Sequence, residues 1–207
     1  HFVDALVAGR AWNDGRRADI ETTLDAGLQR LIELQIQRYI TRYADVGMRN
    51  AAALLVDARD MSVKAWVGSA GYWNEAIDGQ VNGVLAKRSP GSALKPFVYA
   101  LALDQGVLHP RTMLRDAPAS FGPFTPENFD GGFAGPIAAE DALIRSRNVP
   151  AVWVASQLTQ PSLHQFLQSA GIRDLKSEAF YGLALALGGG EVTMEEMAGL
   201  YAMLANH

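Results

Sequence analysis

Apolar residues recur along this chain with two periods. Between Asp25 and Tyr43 they fall at Leu28, Leu31, Ile32, Ile36, Tyr39, Ile40 and Tyr43. That spacing predicts a helix with one buried face, and Thr23 or Asp25 can cap its start. The period then shortens. Ala53-Leu54-Leu55-Val56 reads as a buried strand and Ser62-Val63-Lys64-Ala65-Trp66-Val67 as a half-buried one, so the pair predicts a β-hairpin. Ser69–Pro90 is a loop without clear period. It leads into Ser92–Gln105, where Leu94, Val98 and Leu101 share a helical face. A second long loop, Leu108–Pro136, carries Pro110, Pro118, Pro123, Pro126 and Pro136. It is too long for a mere connector and is expected to wrap near a functional site. Helices return at Ala138–Ser146, Ala151–Leu158, Pro161–Ala170 and Thr193–Ala205, the last opened by a capping box of Thr193 and Glu196.

This inventory predicts one mainly helical domain with a hairpin near its start. A lone hairpin exposes both edges and is barely stable. The hairpin therefore packs on the helices, or further strands follow His207. No apolar run of about 18 residues is present to span a bilayer, and His1 to Trp12 lack the pattern of a signal peptide. A chain opening on His1 reads as a piece of a longer protein, with any anchor upstream.

Composition narrows the chemistry. The 207 residues are 49% hydrophobic and 19% charged, which suits a chain that builds a core. A net charge of −4 argues against nucleic-acid binding, which needs a basic face. With no cysteine, disulfides, thiolate catalysis and iron–sulfur clusters are excluded. His109 and His164 are the interior histidines, and His164, among Leu163, Phe166 and Leu167, reads as helix packing. Gly188-Gly189-Gly190 lacks the Lys–Ser/Thr of a phosphate loop and reads as a tight turn before the last helix.

Ser92-Ala93-Leu94-Lys95 is the sharper signal. In the first turn of a helix, a lysine three residues after a serine lies on the same face. A serine hydroxyl needs a base to become a nucleophile, and a buried lysine that is neutral can be one. Gly91 allows close approach of a substrate, and the helix N-terminus offers free N–H groups near the attacked carbonyl. By chance, Ser-x-x-Lys is expected in about 0.2 of chains with these counts, so alone it decides little. Ser146-Arg147-Asn148 follows in a short loop between helices. Ser146 could pass a proton between lysine and leaving group, and the Asn148 amide could position a substrate. Ser-x-x-Lys followed by a Ser-x-Asn element is the order found in penicillin-binding proteins and class A β-lactamases.

The chain resembles the transpeptidase domain of class A penicillin-binding proteins along nearly its whole length. The resemblance is carried by Thr22-Thr23-Leu24-Asp25-Ala26-Gly27-Leu28-Gln29, by Arg88 to Pro96 around the nucleophile, and by Pro126-Glu127-Asn128-Phe129-Asp130 with Gly135-Pro136. Ser146 to Ala151 and Leu187 to Thr193 complete it. It implies an α+β, β-lactamase-like serine transpeptidase fold: a helix-rich part with an N-terminal hairpin of an antiparallel sheet whose other strands lie outside this chain. Residues 1–207 would be an incomplete transpeptidase domain, with 1–22 the linker from an upstream glycosyltransferase module.

The resemblance also implies a reaction. Ser92 would attack the penultimate D-Ala carbonyl of a peptidoglycan stem peptide and expel the terminal D-Ala. An amine of a neighbouring stem would then take the acyl group. Lys95 would serve as base, with Ser146 and Asn148 relaying the proton and holding the peptide, and with no cofactor or metal. β-Lactams would acylate Ser92 instead. Further partners would be the rest of the domain, possibly as a second chain, and the site of action the periplasmic face of the inner membrane. One departure stands out: the family's Lys-Thr-Gly element is missing, since Lys176 is followed by Ser177-Glu178. Loss of the oxyanion-hole N–H it supplies would cost about 3 kcal/mol of barrier stabilisation. The alternatives are a β-lactam sensor, acylated without transfer, and an inactive cell-wall scaffold.

Overall fold

A computed structural model describes residues 1–8 and 20–206. Half of the segment expected to be an N-terminal linker, 1–22, thus lies outside the described residues, and Phe2–Ala8 forms a short helix, α1. The chain divides into two compact units, one of His1–Lys87 with Thr193–His207 and the other of Arg88–Val192.

In the first unit, α2 (Ala26–Arg42) begins where Asp25 accepts the Leu28 N–H at 2.9 Å. The hairpin pairs β1 (Ala53–Val56) with β2 (Val63–Val67) in antiparallel register, Leu54 opposite Trp66. Its predicted edge problem is met on the β2 side by the chain entering α2. Thr23 donates to Val63 O, Asp25 N–H donates to Lys64 O, and the Gln29 amide both accepts from Trp66 N–H and donates to Trp66 O. The Gln29 side chain thereby stands in for a neighbouring strand, satisfying backbone groups that a bare edge would leave open. α8 (Met194–Asn206) packs against β1 and starts with the expected capping box, Glu196 N–H to Thr193 Oγ1 and Thr193 N–H to Glu196 Oε2.

The second unit is built on α3 (Lys95–Asp104) and α5 (Asn148–Gln157), which pack on each other. Both are apolar around most of their circumference, the mark of a helix buried on several sides. Val98, Ala102, Val149, Val152 and Val154 are buried in this core. α6 (Leu163–Ser169) adds Leu167 and stacks Phe166 on Phe97. The short helices α4 (Ala139–Ile144) and α7 (Glu178–Tyr181) and a 3-10 stretch, Gly182–Leu187, complete the helical part. His164 is buried as the packing reading expects, its Nε2 2.8 Å from Lys176 O.

Leu108–Pro136 is not all loop. β3 (Met113–Asp116) pairs with β4 (Gly135–Ala138) in a second antiparallel ribbon, so the molecule has two two-stranded sheets among its described residues. The unit closes where its ends meet: Arg88 and Val192 exchange both backbone hydrogen bonds at 2.9 Å.

Candidate active site

Ser92 sits in a single 3-10 turn, Gly91–Leu94, that runs directly into α3. Ser92 thus lies in the turn and Lys95 at the first position of the helix, in place of the expected single α-helical turn. Gly91 adopts φ +53, a left-handed conformation that side chains disfavour. Ser92 itself is exposed, whereas Lys95 is only 1% exposed.

The Lys95 ammonium has three N–H donors and three acceptors. It donates to Ser146 O at 2.6 Å, to Ser146 Oγ at 3.0 Å and to Asn148 Oδ1 at 2.6 Å. Two sequence elements some fifty residues apart are thus joined at one nitrogen. Ser146 ends the turn after α4 at φ +54, an uncommon conformation for a non-glycine residue. Asn148 opens α5, and its Nδ2 donates to Glu127 O at 2.7 Å, so both ends of the amide are held. Ser92, Ser146 and Asn148 line one cleft of about 360 Å³, together with Phe129, Asp130, Arg145 and Arg147. All four residues expected from the sequence therefore stand together, Lys95 beneath and the other three at the surface of the cleft.

Burial pushes the Lys95 ammonium down from its ordinary value of 10.5 to about 8, and the Arg147 charge adds to the effect. At neutral pH about one molecule in ten would hold this amine neutral. A neutral amine keeps two N–H donors and gains a lone pair, which can accept a proton.

Two contributors escape the sequence reading. Gly188 is more than a turn before a helix: a Cβ there would lie 2.3 Å from Gly91 N and 2.4 Å from Gly91 Cα. The glycine turn thus bears directly on the backbone presenting Ser92, and Ser89 Oγ donates to Gly188 O at 2.7 Å across the same contact. Buried Arg147, the middle residue of Ser-x-Asn, is paired with Asp116 at 2.7 Å and Asp130 at 2.9 Å. No local sequence signal marks that pair, because Asp116 lies in the stretch that the sequence presents as loop. The expected wrap is present in Leu108–Pro136, since Glu127 holds Asn148 while Phe129 and Asp130 line the cleft.

An exposed serine and a buried lysine that is hydrogen-bonded to a second serine and an asparagine make a candidate serine–lysine site on an α+β fold. The comparisons with known proteins bear on the family and the fold. The family description "Penicillin binding protein transpeptidase domain" matches residues 51–207. Penicillin-binding protein 1C of Escherichia coli (strain K12) is 43% identical over 98% of this chain, covering 26% of its own length. Penicillin-binding protein 1F of Bacillus subtilis (strain 168) is 32% identical over 90% of the chain and 25% of its own. Penicillin-binding protein 1A from Haemophilus influenzae superposes with a TM-score of 0.66 at 30% identity, over 76% of this chain and 23% of its own. PonA1 from Mycobacterium tuberculosis, at 23% identity, shares the fold with a TM-score of 0.74 over 90% of this chain and 50% of its own.

The chain belongs to the penicillin-binding protein transpeptidase family, with the class A proteins and their 1C type among its relatives. It spans about a quarter of the length of the curated relatives it matches.

Proposed function

We propose that this chain is part of a peptidoglycan D,D-transpeptidase that works through an acyl-enzyme on Ser92. The observation that carries the reading is the triple hydrogen bond of buried Lys95 to Ser146 and Asn148 beside an exposed Ser92. Neutral Lys95 takes the Ser92 proton as Oγ attacks the penultimate D-Ala carbonyl of a stem peptide. The new C–O bond forms, the C–N bond to the terminal D-Ala breaks, and the departing amine takes a proton that Lys95 delivers through Ser146. In the second half an amine of another stem attacks the ester, its proton returns to Ser92 by the same route, and a cross-link results. Asn148 holds the donor peptide through its amide.

β-Lactams enter the same chemistry, their ring carbonyl replacing the peptide's and leaving Ser92 acylated. The rest of the transpeptidase domain supplies the missing Lys-Thr-Gly element, on the same polypeptide or as a second chain. Activity belongs at the periplasmic face of the bacterial inner membrane, held there by a segment outside these residues. No described helix is long and apolar enough to cross a membrane.

Incubation with a fluorescent penicillin followed by intact-mass spectrometry tests the reading, with Ser92→Ala as control. The expected result on the full-length protein is one covalent adduct, absent from Ser92→Ala. A full-length protein that stays unlabelled rejects the proposal.

A further inference from the structure

The helix that carries Asn148 lacks a cap of its own. At the N-cap position Arg147 makes no side-chain hydrogen bond to the helix, and Pro150, inside the first turn, has no N–H to offer. The first N–H of α5 is met from twenty residues upstream: Asn128 Oδ1 accepts from Asn148 N at 2.8 Å. Asn128 is 4% exposed and is not free to rotate, because its Nδ2 donates to Asp116 Oδ1 at 2.7 Å and to Gly132 O at 2.9 Å. Those two acceptors dictate which end of the amide faces the helix.

Asp116, fully buried, spends its other oxygen in the same place. Its Oδ2 accepts from Arg147 Nε at 2.7 Å and from Ala134 N at 2.9 Å. Arg147 lies between Ser146 and Asn148 in sequence, and its remaining donors reach Asp130 Oδ2 and Gly132 O. One carboxylate therefore fixes the residue between the two site residues directly, and the backbone of the second through Asn128. Every polar atom of the carboxylate is used as an acceptor, so an amide in its place would turn an N–H toward a donor. Ser146, at φ +54, directly precedes the arginine that Asp116 holds.

We propose that Asp116 and Asn128, neither of which lines the cleft, are positioning residues that set Ser146 and Asn148 against Lys95. The inference rests on the acyl-enzyme reading given above. It adds to the two short motifs a third element, Asp116 with the Asn128 loop, that acts through hydrogen bonds and touches no substrate. Small displacements matter here, since proton transfer through Ser146 needs hydrogen-bond distances at both of its ends.

Single-turnover acylation of the full-length protein by a fluorescent penicillin, over a range of antibiotic concentrations, separates the limiting rate from the half-saturating concentration. In Asp116→Asn the limiting rate is expected to fall about tenfold or more while the half-saturating concentration moves by less than about threefold. Circular dichroism at the assay temperature shows whether the variant is folded. A folded Asp116→Asn that acylates at the native rate overturns the inference. So does a rate loss matched by an equal loss of folded protein, which is what a merely structural role would give. Where Asp116→Asn melts too low to assay, Asn128→Ser decides, because the serine oxygen sits about where the amide carbon was and falls short of both Asp116 and the α5 N–H. A slow but folded Asn128→Ser supports the proposal, and native-rate acylation removes it. If neither variant folds, the two residues serve the whole unit and the inference is wrong. A native protein that takes no label at Ser92 is a different result and overturns the acyl-enzyme reading itself.

Discussion

Lys95 is the residue on which chemistry and stability conflict. Its ammonium, 1% exposed and driven down to about 8 mainly by burial, is the main form in the folded state below that pH, where carrying the buried charge costs stability. For a base with a lowered folded value, stability rises with pH between the folded and unfolded values, because the unfolded chain binds more protons there. The shift from 10.5 to about 8 corresponds to about 3 kcal/mol at neutral pH. Urea titrations should therefore show a gain between pH 8 and 10 that Lys95→Met lacks. On the acyl-enzyme proposal the same group sets the rate. Acylation should climb about tenfold per pH unit below 8 and level above it, the limb of a base that must be neutral. Lys95→Ala should abolish labelling by fluorescent penicillin with the circular dichroism spectrum unchanged, and retained acylation at neutral pH would remove Lys95 as the base. Arg147 contributes the smaller part of the shift, so Arg147→Gln should move the limb modestly to higher pH.

Elements whose pattern is local were legible in the sequence. α2 showed its extent and the Asp25 cap, the hairpin its pairing, and α8 its Thr193–Glu196 box. Burial differs from the pattern: of α2's expected buried face only Ile36 is buried while Leu31 and Tyr39 are exposed, β1 is half-buried throughout, and β2 is buried at Ala65, Trp66 and Val67. β3 and β4 were hidden because each is four residues long, and because buried Asp116 sits where alternation calls for an apolar side chain. Ser-x-x-Lys could be read from spacing alone, yet its meeting with Ser146 and Asn148 depends on the packing of α3 on α5, which only the family resemblance anticipated. The contact of Gly188 with Gly91 was illegible for the same reason: a triple glycine suggests a turn and cannot say what the turn touches. It carries a prediction. Gly188→Ala would set a Cβ 2.3 Å from a backbone nitrogen and at φ +87, so the turn bearing Ser92 must shift. Acylation should slow by at least about tenfold, read by the same gel assay, while Gly199→Ala, where a Cβ meets nothing within 4 Å, should leave it unchanged. Thr193→Ala should cost about 1 kcal/mol through loss of the cap on α8, measured as a lower urea midpoint.

At the scale of the molecule, one compact unit is continuous in sequence and the other is not. All the candidate site residues lie within Arg88–Val192, whereas the hairpin unit draws its last helix from the far end of the chain. α8 packs on β1, so a chain ending before residue 194 should lose amide protection in Ala53–Val56, checked by hydrogen exchange. The order of synthesis turns this layout into a schedule. As the polypeptide leaves the ribosome, Ala53–Val67 emerges early but must wait for more than a hundred further residues before α8 can cover it. The stretch Arg88–Val192 is made without interruption, and the paired backbone bonds of those two residues close it into a loop. The residues of the serine–lysine unit thus emerge as one unbroken run, while the hairpin waits at least until α8 has been made.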